Sequence, residues 1–189
     1  VAVGANLRPP DGARVIDARG RFVMPGIIDA HSHTAIEGDV NECTDIVTAE
    51  VRVGDVIDQH DPDIYRQLAG GVTTIHTLHG SCNAIGGQNA ILKLRWGKGP
   101  QQLLFEGAPR SIKFALGENP KRSNQRGRER RYPATRMGVE AVLRQHFEAA
   151  RAYAREWDDY EQRLKAAGPK SPAPVPPRRG TVLPALVGG

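Results

Sequence analysis

The chain has 189 residues, 39% hydrophobic and 25% charged, with a formal net charge of +5. That is enough for one domain with a real core, in the composition range of ordinary globular proteins. No apolar run approaches the roughly 18–20 residues of a membrane-spanning helix, and the positive charge is too local to make the whole chain a nucleic-acid binder. Residues 110–136 hold nine Lys/Arg and two acids, a local +7, which leaves −2 elsewhere. Cys43 and Cys82 form no C-x-x-C pair. They make no disulfide framework, although a single bridge stays open, and with it the redox compartment.

In chain order, Val15-Ile16-Asp17-Ala18 and Arg21-Phe22-Val23-Met24 read as short β segments around a turn at Arg19-Gly20. Pro25-Gly26 punctuates the chain, and residues 27–31 follow as a buried-strand candidate. Residues 34–60 read as irregular, with Val47, Val51, Val53, Val56 and Ile57 as apolar anchors. Asp61-Pro62 predicts a helix start and Gly70-Gly71 its end, giving a helix over about 62–69. Residues 72–78 are a β-branched strand, so strand, helix and strand suggest a parallel βαβ arrangement.

The Gly80–Gln88 stretch reads as a loop. Residues 90–94 and 111–116 are strand candidates, and 117–134 a basic loop. Apolar residues from Met137 to Leu164 recur at three- and four-residue steps. They predict one long helix over 136–167, capped by Thr135 and stopped by Gly168-Pro169. Residues 168–189 read as a Pro-rich connector.

The stretch richest in chemistry is Asp29-Ala30-His31-Ser32-His33. Side chains alternate along a strand, so Asp29, His31 and His33 share one face. Two imidazoles on one face, at the C-terminal end of a strand, can hold one metal ion, and zinc takes such ligands. In the Gly80–Gln88 loop, backbone N–H groups could meet an anionic substrate group, with Asn83 and Gln88 as the side chains to test. His76 is a further substrate contact to test, and His79 falls on the other parity.

Residues 15–33, from Val15-Ile16-Asp17-Ala18 through Pro25-Gly26-Ile27-Ile28-Asp29-Ala30-His31-Ser32-His33, resemble the opening of the metal-dependent amidohydrolase superfamily. Gly70-Gly71-Val72-Thr73-Thr74-Ile75 is similar to the second strand of imidazolonepropionase-like members. The resemblance extends through Ile85-Gly86-Gly87-Gln88 to Lys113-Phe114-Ala115-Leu116-Gly117-Glu118. It implies an α/β fold: a (β/α)8 barrel of TIM type, entered from the end of a small β-sandwich. Such barrels take about 250 residues. The chain therefore reads as an N-terminal part. Residues 1–24 would end the sandwich, 25–167 would hold the first three or four barrel strands and the long helix, and 168–189 would lead toward a missing strand.

The resemblance also implies a chemistry: hydrolysis of carbon–nitrogen bonds in dipeptide, non-peptide or cyclic amides through a metal-activated water. One or two divalent ions, zinc foremost, would serve it. Lys113 as a carbamate would bridge two of them, with Glu118 as an alternative oxygen ligand. An unpaired ammonium in the apolar strand Ile112-Lys113-Phe114 would be costly, which a carbamate at a metal pair resolves. Two later histidines and a catalytic aspartate are also implied. After residue 79 the sequence offers only His146, so the chain alone would be inactive. The partner is a small-molecule substrate. The compartment and the oligomeric state, a homo-oligomer included, stay open. The rival reading is a non-catalytic module that uses the basic 121–136 loop for nucleic acid or another anionic partner. Its single interleaved aromatic, Tyr132, gives base stacking little support.

Overall fold

The computed structural model describes residues 2–123, 131–168 and 172–187. Among these residues five strands form two small sheets, with helices packed around them. In the first sheet β1 (Ile27–Ser32) runs parallel to β2 (Val72–Thr77), which pairs antiparallel with β4 (Ala90–Lys93). In the second, β3 (Ile85–Gln88) pairs antiparallel with β5 (Ile112–Phe114). Only Asn89 separates β3 from β4. The 47–52 segment adds parallel bridges to β3, Val47 to Ile85 and Arg52 to Gln88.

The βαβ arrangement is present as β1, α1 (Pro62–Ala69) and β2. Asp61 accepts from the N–H of Asp63 at 2.9 Å and Pro62 stands at the first helical position, so both sequence signals act as read. Gly71, at φ 93°, turns the chain into β2 in a conformation only glycine adopts freely. A side chain at Gly26 would run into Thr73, so the Pro-Gly turn lies flat against β2. The core beside this unit gathers Ala35, Val53, Ile57, Ile64, Ile75 and Leu92.

A second apolar cluster lies under β3 and the long helix α4 (Arg136–Ala166), built on Val47, Ala84, Ile85, Val139 and Val142. Thr135 caps α4 by accepting from the N–H of Gly138 at 3.2 Å. Three short helices were not apparent in the sequence: α2 (Pro100–Leu103), α3 (Asn119–Ser123) and α5 (Val182–Val187).

Two expectations need correction. Residues 2–26 form no strand. A lone extended segment has nothing to satisfy its ladder groups, and Val15, Ile16, Phe22 and Val23 stay exposed. The Gly80–Gln88 loop ends in β3, because Gly86 and Gly87 admit close packing by His79 and Val51. Among its described residues, the 168–189 connector is tied back to the fold. Arg179 lies over the Trp157 ring, 5.7 Å from its centroid, and Val182, Ala185 and Leu186 of α5 pack back on the second cluster. Among the described residues no helix is long and apolar enough to cross a membrane.

Candidate metal centre

β1 delivers His31 from its last turn of alternation and His33 just past its end. Their ring centroids lie 5.3 Å apart, edge to face. The carboxylate of Asp29 accepts from the backbone N–H of His31 at 3.0 Å, which steadies the strand end. Nδ1 of His33 donates to the Leu78 carbonyl at 2.8 Å. That bond fixes the tautomer and leaves Nε2 as a lone-pair donor, the arrangement that metal-ligating histidines use.

β5 brings Lys113 to the same place from the other sheet. Its Nζ is 3.4 Å from Nε2 of His31. Burial pushes the Lys113 amine below the usual lysine range. Its positive charge, with burial and the charges of His33 and His76 behind it, lowers His31 from its ordinary value; Asp29 opposes. Both groups are thereby biased toward their neutral, lone-pair-bearing forms. These three side chains fit part of a metal site: two imidazoles, and a lysine that becomes an oxygen ligand only as its carbamate. Among the described residues no cluster of three or more His, Cys, Asp or Glu is placed to hold a metal.

The other candidates divide. His76 stands near His31, and its Nε2 lies 2.8 Å from Ser111 Oγ. The side-chain amide of Asn89 donates to the same Ser111 oxygen at 3.1 Å, and its carbonyl oxygen accepts from the N–H of His79 at 3.3 Å. Ser111 and Asn89 went unnoticed in the sequence, although strand alternation alone puts Ser111 on the Lys113 face of β5.

His79 is only 4% exposed. Its Nε2 accepts from the N–H of Glu42 at 2.8 Å and its Nδ1 donates to the Gly80 carbonyl at 2.9 Å. Both nitrogens are used, so this imidazole holds a loop in place and has no lone pair for a substrate. Asn83 is likewise spent: at 1% exposure, its amide donates to the carbonyls of Glu42 and Asp45 at 2.6 and 2.7 Å. The loop needs those donors because it has no ladder of its own.

Gln88 donates to the Ala49 carbonyl at 3.0 Å. It lines a cavity of about 440 Å³ with Ile112, Phe114, Phe147 and Leu186, and none of His31, His33 and Lys113 faces that space. Glu118 pairs with Lys121 at 2.7 Å rather than with the histidines. Of the basic 121–136 stretch, residues 124–130 lie outside the described residues. Arg131 donates to the Thr44 carbonyl.

No family model matches the chain. Individual relatives do. An amidohydrolase of Hapsidospora irregularis is 34% identical over 176 residues, covering 84% of this chain and 18% of that protein. A 5-methylthioadenosine/S-adenosylhomocysteine deaminase of Symbiobacterium thermophilum is 36% identical over 86 residues, covering 39% of this chain and 20% of its own. The crystal structure of an amidohydrolase from Thermotoga maritima superposes with a TM-score of 0.79 at 35% identity, over 99% of this chain and 47% of that one. The chain thus spans less than half the length of each of these proteins. Over nearly its whole length the chain is thus homologous to amidohydrolases, at 34% identity in sequence and a TM-score of 0.79 in fold, consistent with the amidohydrolase superfamily.

Proposed function

We propose that this chain is part of a metal-dependent hydrolase of carbon–nitrogen bonds. The 3.4 Å approach of Lys113 to His31, across two sheets, carries the reading. A lysine and a histidine brought this close suit a shared metal site.

His31 and His33 would hold one divalent ion through their Nε2 atoms, and zinc suits the imidazole ligands. When bound, such an ion lowers the pKa of water and polarises a substrate carbonyl. Lys113 in its neutral form can add carbon dioxide, releasing a proton and leaving a carbamate whose oxygens would serve as ligands. His76, beside His31, would orient the substrate, held by Ser111. The further ligands and the aspartate would come from polypeptide beyond these 189 residues, since His146 binds the Val142 carbonyl of its own helix. The substrate is a small molecule with a hydrolysable amide, cyclic amide or amino-heterocycle. The two relatives named above bear enzyme names, so the rival reading on the basic loop is not favoured.

Elemental analysis of the full-length protein tests this. Wild type should hold zinc or a similar ion at about one or two per chain, as two-metal or one-metal sites do. The His31→Ala/His33→Ala double variant should lose it. Equal metal in the two proteins would sink the proposal.

A further inference from the structure

Cys43 and Cys82, separated by 39 residues in sequence, are joined in a disulfide with their Cα atoms 5.8 Å apart. Cys43 is exposed, while Cys82 is buried. The bridge sits among bonds that tie the irregular 39–48 segment to the turn leaving β2. The N–H of Glu42, beside Cys43, donates to His79 at 2.8 Å. The N–H of Cys82 donates to the Asn41 side chain at 3.2 Å, and Asn83 holds the Glu42 and Asp45 carbonyls. The 39–48 segment belongs to no helix or strand; its end is held to Ile85 of β3 through Val47 and Thr48, and among its links to the turn leaving β2 the bridge is the covalent one. The far end of the same turn reaches the site: Leu78, next to His79, supplies the carbonyl that orients His33.

We propose that the Cys43–Cys82 bridge is a redox-sensitive clamp on the loop beside His33. Closed, it fixes the 39–48 segment and the 79–83 turn. Opened by a dithiol, it frees them while both sheets stay folded. A thiolate of the dithiol attacks the exposed Cys43 sulfur, a mixed disulfide forms, and Cys82 leaves as a thiolate that takes up a proton. The second thiol of the reductant then closes its own disulfide and expels Cys43, also protonated. Two electrons pass from the dithiol to the protein. The consequence for a metal ligand rests on the function proposed above; the clamp itself does not.

The test compares the full protein with and without dithiothreitol by thiol alkylation and peptide-resolved hydrogen exchange. Oxidised protein should label at neither cysteine, and reduced protein at both. On reduction, amides in 39–48 and 79–83 should exchange at least ~10-fold faster, as locally opened segments do, with β1, β2 and β4 unchanged. The Cys43→Ser/Cys82→Ser variant should reproduce that pattern without reductant. Two labelled thiols in the oxidised native protein, or unchanged exchange on reduction, would overturn the clamp. So would an equal loss of protection in β1, β2 and β4, which would make the bridge a global staple. Zinc content, measured in both redox states, is read separately: zinc in neither state counts against the metal centre and leaves the exchange result standing.

Discussion

Lys113 Nζ and His31 Nε2 stand 3.4 Å apart although 82 residues separate them in sequence. One belongs to the second sheet and the other to the first, so their meeting reports how the two sheets are set against each other. The contact bears on the protonation of His31, because a nearby positive charge disfavours the imidazolium, whereas Lys113 is lowered by its burial.

That coupling can be measured. The charge of Lys113 is the largest cause of the lowered His31 value. Lys113→Gln should move the His31 titration up toward its ordinary value of 6.5, and Lys113→Arg should leave it low. Imidazole chemical shifts followed against pH give the answer; an unmoved His31 in Lys113→Gln would mean that the charge is screened.

Buried His79 predicts a pH dependence of stability. Burial lowers its folded pKa below the ordinary 6.5. The unfolded chain therefore binds the proton more readily, and stability rises with pH wherever that excess exists. The contribution is complete above 6.5 and declines as pH falls from there through the folded value. Urea midpoints between pH 7.5 and 5 should drop toward acid, and His79→Gln, which keeps an acceptor for Glu42, should flatten that slope. An identical slope in the variant would assign the effect elsewhere.

Two isoleucines on neighbouring strands should respond oppositely to truncation. Ile75 is fully buried at 0% exposure, whereas Ile28 is 71% exposed. Ile75→Ala should cost about 2–5 kcal/mol, while Ile28→Ala should stay within about 0.5 kcal/mol. Chemical denaturation separates them, and a large loss at Ile28 would show that its face is covered in solution.

Asp61 closes two contacts at once. It caps α1, and its other carboxylate oxygen accepts from the N–H of Ala35 at 2.7 Å. Asp61→Ala should cost about 1–2 kcal/mol, at the upper end for a cap, because the buried Ala35 amide also loses its acceptor. Asp61→Asn should recover only part of it, because its single amide oxygen can accept from one of the two N–H groups; denaturation midpoints of the two variants decide.

Local signals were legible where a few adjacent residues decide the outcome. The α1 boundaries followed from Asp61-Pro62 and Gly70-Gly71, and α4 from its apolar period and Thr135. His31 and His33 were legible because strand alternation is strictly local. The destinations of Asn83 and His79 were not. A small polar residue in a loop reads the same whether it meets a substrate or a buried carbonyl, and only the path of the 39–48 segment distinguishes the two. β3 was hidden by its glycines, which weaken a strand pattern while permitting the close packing that β3 needs. The edge residues 15–24 erred the other way: β-prone side chains announce a strand whether or not a partner is at hand.

Asn89 occupies the single-residue corner between β3 and β4, and its side chain reaches both His79 and Ser111. Its own N–H also donates to the Ser111 carbonyl at 2.9 Å. The corner therefore works as a gauge block between the turn leaving β2 and the lysine strand. One residue inserted there would reverse the facing of β4 and shift the start of β5. The turn leaving β2 and the start of the lysine strand are thus held together at a point that touches neither His31 nor Lys113.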